Sequence, residues 1–204
     1  MNDLHDINKL RRTITIHKHP TIPSYVRLAD ISQPWRDRFL EALVSSQVPL
    51  VEGEGDVVYE ADWFLFLDRT ERRLRAGRIA EVFNHVKTGP LPAVLEAAPV
   101  FDPWFVLWAP GEELSLLGAV SGHPRLLGEG RWIATSMLIG LDLEAGRART
   151  ISRWYRLGKL ISAAECEVVR GKPLNPAFTP AGIDEVGPWF DRLRAIVARD
   201  GFDV

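Results

Sequence analysis

Apolar residues recur at helical spacing through the first half of the chain and gather into β-like runs in the second. Trp35, Phe39, Ala42 and Leu43 share one helical face. Ser32 stands before them as an N-cap and Pro34 lies in the first turn, which predicts an amphipathic helix ending before Pro49. A second face carries Arg75, Ile79, Val82, Phe83 and Val86, with Thr70 as cap and Gly89–Pro90 as stop. Between them, "VEGEGD" (Val51–Asp56) reads as a flexible acidic turn and "VYEADWFLFLD" as a short buried helix. Near the start, "TITIHKH" alternates and predicts a short strand from Thr13 to His17. "LPAVLEAAPVFDPW" reads as a short helix bracketed by prolines and leading into a loop.

From Glu113 the pattern changes. "ELSLLGAVSG", "RWIATSMLIGLDL" and "RARTISRWYRLGK" are three β-like runs at close spacing. A three-residue loop, Glu144–Gly146, predicts that Trp132–Leu143 pairs antiparallel with Arg147–Leu157, Ile139 opposite Ile151. In that register Ile133, Met137, Ile139, Leu141, Ile151, Tyr155 and Leu157 form the core face, joined by Arg147, Arg149 and Arg153. The other face holds Ala134, Ser136, Gly140, Thr150 and Ser152, flanked by Trp132 and Trp154. A final helix from about Asp184 carries an apolar stripe of Val186, Trp189, Phe190, Leu193 and Ile196. The expected class is α+β: an antiparallel β-meander or hairpin with helices packed on it, a helical N-terminal half and a docked C-terminal helix. Three segments are expected: a helical module over 10–68, a helix plus β-meander over 69–160, and a loop with docking helix over 161–204.

Composition narrows the function classes. A chain of 204 residues with 46% hydrophobic and 25% charged residues can bury a sizeable core. A net charge of −2 gives no overall pull toward nucleic acid or membrane, so any such binding must come from a local patch. "WFLFL" and "WFVLWA" are too short to span a bilayer, and "MNDLHDINKL" lacks the apolar core of a signal peptide. The single cysteine, Cys166, excludes an internal disulfide and a thiolate metal cluster. A cytoplasmic protein without a membrane partner is expected.

The stretch that looks most like a site is "SGHPRLLGEGRWIATS" (Ser121–Ser136). A catalytic His123 would need a nucleophile to activate, Ser136 or Ser152, and a carboxylate to orient it. No acidic residue in the stretch is an obvious orienter, and Glu129 and Asp142 are the candidates. The structural alternative is a strand-ending turn, with His123 bonded to backbone or to Thr135 and Ser136. The five histidines lack the spacing of a ligand set, so no metal is expected; "LLGEGRW" lacks the helix of a phosphate loop, and no cofactor is implied. Two basic groups stand out: Arg69, Arg72, Arg73, Arg75 and Arg78, and Arg147, Arg149, Arg153, Arg156 and Lys159 interleaved with Trp154 and Tyr155.

Gly122–Pro124, Thr135–Ser136 and "TISRWYRLG" (Thr150–Gly158), with "LEAAPVFDPW", resemble the repeated elements of small uncharacterised proteins common on proteobacterial plasmids and integrated elements. "TIPSYVRLADISQPWRDRFLEALVSS" resembles a separate small family of the same genomic kind, so the chain resembles a fusion of two modules. The resemblance implies a bacterial accessory protein and carries no activity. The leading expectation is a non-enzymatic interaction or regulatory protein that binds a protein partner through Trp132, Trp154, Arg149, Arg153 and Arg156. The alternatives are a nucleic-acid-binding regulator using the same arginine strand, and a hydrolase or transferase centred on His123 with Ser136 or Ser152.

Overall fold

A computed structural model describes residues 3–46, 56–126 and 128–204. The acidic turn expected over Val51–Asp56 lies, apart from Asp56, outside the described residues, as does Pro49. The fold is α+β, with a mostly antiparallel sheet. The chain divides into two compact units, Met1–Arg75 and Ala76–Val204, so the terminal helix belongs to the same unit as the large sheet.

The first unit begins with a helix that sequence reading missed, α1 (Asp3–Thr13), in which Ile7 and Leu10 share one face. The strand expected from Thr13 is reduced to one bridge, His17 to Tyr25, because the helix consumes the first alternating residues. Strand β1 (Tyr25–Arg27) pairs antiparallel with β2 (Val57–Tyr59), Val26 opposite Val58, and α2 (Gln33–Ser46) lies between them in sequence. Ser32 caps α2 through its carbonyl, which accepts the Trp35 and Arg36 amides. Trp35 and Phe39 then face inward, and Phe39 meets the edge of Trp63 at 5.4 Å between ring centroids.

Trp63 belongs to α3 (Glu60–Thr88), a single helix where two were expected. Thr70 is no cap: its hydroxyl donates to the Phe66 carbonyl one turn back, and "LDRTERRL" contains no residue that breaks a helix. Trp63 and Leu67 serve the first core, while Ala76, Ile79, Val82 and Phe83 serve the second. Gly89, at φ +73°, ends the helix, and α4 (Pro92–Glu96) follows.

The second unit is built on two three-stranded meanders. One is β3 (Val100–Ala109), β4 (Glu113–Ser121) and β5 (Arg131–Ala134); the other is β6 (Leu138–Asp142), β7 (Arg147–Thr150) and β8 (Trp154–Leu157). They join through a parallel pairing, Val100 opposite Arg156 and Phe101 opposite Leu157, to give the order β5-β4-β3-β8-β7-β6. Laid flat, the outer strands β5 and β6 would stand about 24 Å apart at five strand spacings. Only Thr135–Met137 connects them, and the four Cα steps from Ala134 to Leu138 reach about 14 Å at most. The sheet therefore curls. The Thr135 amide bonds Leu116 on β4, and the Met137 carbonyl accepts the Ile151 amide beyond β7, so the link touches both margins.

The expected hairpin exists around Gly146 (φ +59°), but it is shorter and shifted. Asp142 faces Arg147, so the loop also takes Leu143. An irregularity between Leu138 and Gly140 then places Leu138, not Ile139, nearest the end of β7, opposite Thr150. The chain turns again at Thr150–Arg153, and β8 folds back on β7 with Ala148 opposite Tyr155 and Arg149 opposite Trp154. Met137, Ile139 and Tyr155 are buried as expected, and Ile133, Leu141, Ile151 and Leu157 pack at the margin. Arg147 and Arg149 lie on the face opposite Ala148 and Tyr155, a correction that follows from this register.

Strand β3 is the largest departure. "FDPWFVLWA", expected as a loop with an apolar run, is the central strand. Trp104 and Val106 join the main core on one face, and Phe105 and Leu107 on the other pack with Cys166 of α5 (Ala163–Arg170). Two-residue β9 (Thr179–Pro180) pairs with the far end of β3, and α6 (Val186–Arg199) docks Val186, Trp189, Leu193 and Val197 into the core.

Candidate functional site

The loop after β4 turns at Gly122, φ +69°, and closes a turn in which the Leu126 amide donates to the His123 carbonyl at 3.2 Å. The His123 side chain is half-buried. Its Nδ1 accepts the Arg125 amide at 3.2 Å, so the ring is bonded to its own turn. Burial, then the charges of Arg153 and Arg125, hold the imidazole below its ordinary range. Both charges that act on it are cationic, the reverse of the carboxylate that orients a catalytic imidazole. The expected bonds from His123 to Thr135 and Ser136 are absent among the described residues, because those hydroxyls are committed elsewhere. Thr135 Oγ1 accepts the Leu116 amide and donates to the Ser136 carbonyl.

Ser136 and Ser152 do meet. Their Oγ atoms are 2.8 Å apart, and Ser152 Oγ lies 3.2 Å from Oγ1 of buried Thr150. The curl of the sheet produces this contact by bringing the β5–β6 link against the β7–β8 turn. The result is a chain of three hydroxyls in which Ser136 and Ser152 are exposed partners of each other.

The aromatic and arginine residues divide into two places. Trp132 lies on β5 opposite Ala119, packs with the Phe105–Cys166 core, and has the Arg170 guanidinium 5.7 Å above its ring. Trp154 lies on β8, with the Arg149 guanidinium 5.9 Å above its ring. Strands β4 and β3 stand between them in the sheet, so the single Trp132/Trp154 face expected from sequence is split. Neighbouring alternation could not show this, because Trp132 pairs with β4 rather than with the strand that carries Trp154.

The β7–β8 face is strongly cationic. Arg147 stands directly opposite Arg156, and Arg149 beside them is half-buried. Arg147 is paired with Asp142 at 2.9 Å, and Arg156 Nε donates to the Ala98 carbonyl. Burial and then the Arg78 guanidinium push the Arg149 pKa down, opposed by Glu81. Arg149 Nε is shielded from solvent and has no hydrogen-bond partner among the described residues. Arg153 sits apart in the turn, where its charge acts on His123 and Tyr155.

A cleft of about 370 Å³ opens where the neighbours of β3 change from Ile161 to Ala181, floored by Phe105 and Val106. Sequence reading missed it because β3 was not read as a strand. Among the described residues no three of His, Cys, Asp and Glu are grouped to hold a metal ion. His17 instead pairs with Asp30 at 2.8 Å. No described helix is long and apolar enough to cross a membrane.

A family model of unknown function, DUF6634, matches residues 68–179, more than half of the chain. The chain belongs to this family. The DUF6634 match takes in the Gly122–Pro124 turn, the Thr135–Ser136 pair, the Thr150–Gly158 segment and every strand of both meanders. No curated protein and no solved structure matches the chain.

Proposed function

We propose that this DUF6634 protein is a non-enzymatic interaction protein that docks a protein partner on the part of the β7–β8 face, around Trp154 and Arg156, that α3 leaves accessible. In keeping with its sequence resemblance, we place it as a cytoplasmic accessory protein of a bacterial mobile element. The observation that carries the reading is the Arg149 guanidinium over Trp154, half-buried beside the Arg147–Arg156 pair. Tryptophan and arginine are the side chains that most often anchor interfaces, and a partly ordered pair loses less freedom on binding. Asp142 already pairs with Arg147, so exposed Arg156 is the charge that favours a partner with acidic groups around an apolar contact. Trp132 and Arg153 fall outside this face.

The test is affinity purification of the full chain from cells that carry its gene, alongside a Trp154→Ala/Arg156→Glu variant. Support is a protein retained after nuclease treatment and weakened in the variant by about thirtyfold or more, the effect of losing an interface anchor. Retention that disappears with nuclease would favour the nucleic-acid alternative. Retention untouched by the double substitution would remove this face from the interaction.

A further inference from the structure

Three residues of the other arginine group, Arg69, Arg72 and Arg73, lie on the first unit and have no role in the β7–β8 face. Asp68 and Glu71 are the acidic residues of α3 that flank Arg69, Arg72 and Arg73 in sequence. Both are taken by one nitrogen of Arg11 on α1, Nη2, at 2.6 and 2.8 Å. Arg69, Arg72 and Arg73 are all exposed, and none has an ion-pair or hydrogen-bond partner among the described residues. They stand at i, i+3 and i+4, so their side chains leave the same side of the helix about 5–6 Å apart at Cβ and repel one another. Arg12, next to the residue that captures the acids, is exposed as well.

We infer that this row binds the phosphate backbone of a nucleic acid, independently of the β7–β8 face. The comb is all arginine, whose planar fork matches phosphate oxygens two at a time where lysine offers a point charge. Among the described residues Leu65 is the only exposed large hydrophobic of α3, so the row has no apolar centre of the kind a protein interface buries. Clustered charge without an apolar centre suits a polyanion. Recognition of this kind positions the chain on a backbone and reads no base sequence. The net charge of −2 leaves the row as a local field, so binding is moderate and falls quickly with salt.

Fluorescence anisotropy with the full chain and a fluorescein-labelled duplex DNA of random sequence tests this between about 50 and 200 mM salt. The wild type should bind at the low end, with log affinity falling linearly against log salt. Arg69→Gln/Arg72→Gln/Arg73→Gln should reduce the steepness of that line by about 2–3, near 0.9 for each phosphate no longer neutralised, and the low-salt affinity by about tenfold or more. A melting curve shows whether the triple variant is folded; should it not be, Arg72→Gln alone must reduce the steepness by about 0.9. The Trp154→Ala/Arg156→Glu variant should bind the DNA as the wild type does. The inference is overturned if the wild type does not bind at low salt, or if the slope survives the substitutions. It is equally overturned if DNA binding disappears with Trp154 and Arg156 instead, or if a glutamate-rich peptide of equal charge binds as tightly.

Discussion

The indole Nε1–H of Trp189 on α6 donates to the carbonyl of Leu138 on β6 at 2.9 Å, with both residues buried. Leu138 sits where the β6–β7 pairing is irregular, so the terminal helix braces the place where the ladder is locally disturbed. The same indole meets Trp108 of β3 edge-on at 5.8 Å. Trp189→Ala should therefore cost about 3–5 kcal/mol. Trp189→Phe, which keeps a ring and removes the bond, should cost about 1–3 kcal/mol, since the Leu138 carbonyl is left without that donor. Chemical denaturation of the two variants checks the order; equal midpoints for Trp189→Ala and wild type would mean that α6 is not docked.

Gly140 of β6 has no room for a side chain: a Cβ there would stand 2.8 Å from Val86 Cγ2 on α3. Gly140→Ala should destabilise by about 1–3 kcal/mol through overpacking. Adding Val86→Ala should recover part of that loss, although Val86→Ala alone is destabilising. Such a sign reversal in a double-mutant cycle reports that the two residues touch. Additive losses would refute it.

His123 should titrate below the ordinary value of about 6.5. Burial is the first cause and the Arg153 and Arg125 charges are next, so Arg153→Gln should move the midpoint upward. A histidine whose pKa is lower folded than unfolded favours the folded state fully above its unfolded pKa. That contribution is lost as pH falls from about 6.5 through the window down to the folded value. NMR of the imidazole against pH checks the direction; a midpoint above 6.5 would require an unseen anionic neighbour.

His123→Ala should lower stability by less than about 1 kcal/mol, because the ring is half-exposed and its bond is to the Arg125 amide of the same turn. Thermal denaturation measures it. A loss of several kcal/mol would show that the imidazole braces more than its own turn.

Cys166 is fully buried under β3, and burial pushes its thiol pKa up against the opposing Arg170. The native protein should leave the thiol unmodified by an aromatic disulfide reagent over minutes, and denaturant should release one equivalent. Rapid labelling of the native form would place α5 in frequent local opening.

The candidate residues were legible as types and only partly as places. Ser136 and Ser152 were both expected on one face, and they touch; Trp132 and Trp154 were expected together, and they do not. The first pair is set by a short link that forces the sheet to curl. The second depends on which strand β5 chooses, and no local pattern encodes that choice.

What the sequence determined by itself is whatever a few neighbouring residues decide. Trp35 and Phe39 four residues apart, the Gly89 helix stop, the left-handed turn at Gly146 and the apolar stripe from Val186 to Val197 are local signals, and all appear in the fold. The class followed from them. Tertiary structure decided the rest. "WFVLWA" is apolar throughout because both its faces are covered, and an unbroken apolar run has no period to read. Thr150–Arg153 became a turn because Tyr155 gains its place beside Phe101 only when β8 folds back along β7 and β3. One extra residue in the hairpin loop then set which face Arg149 shares with Trp154, since a sheet exchanges its faces with every single-residue shift.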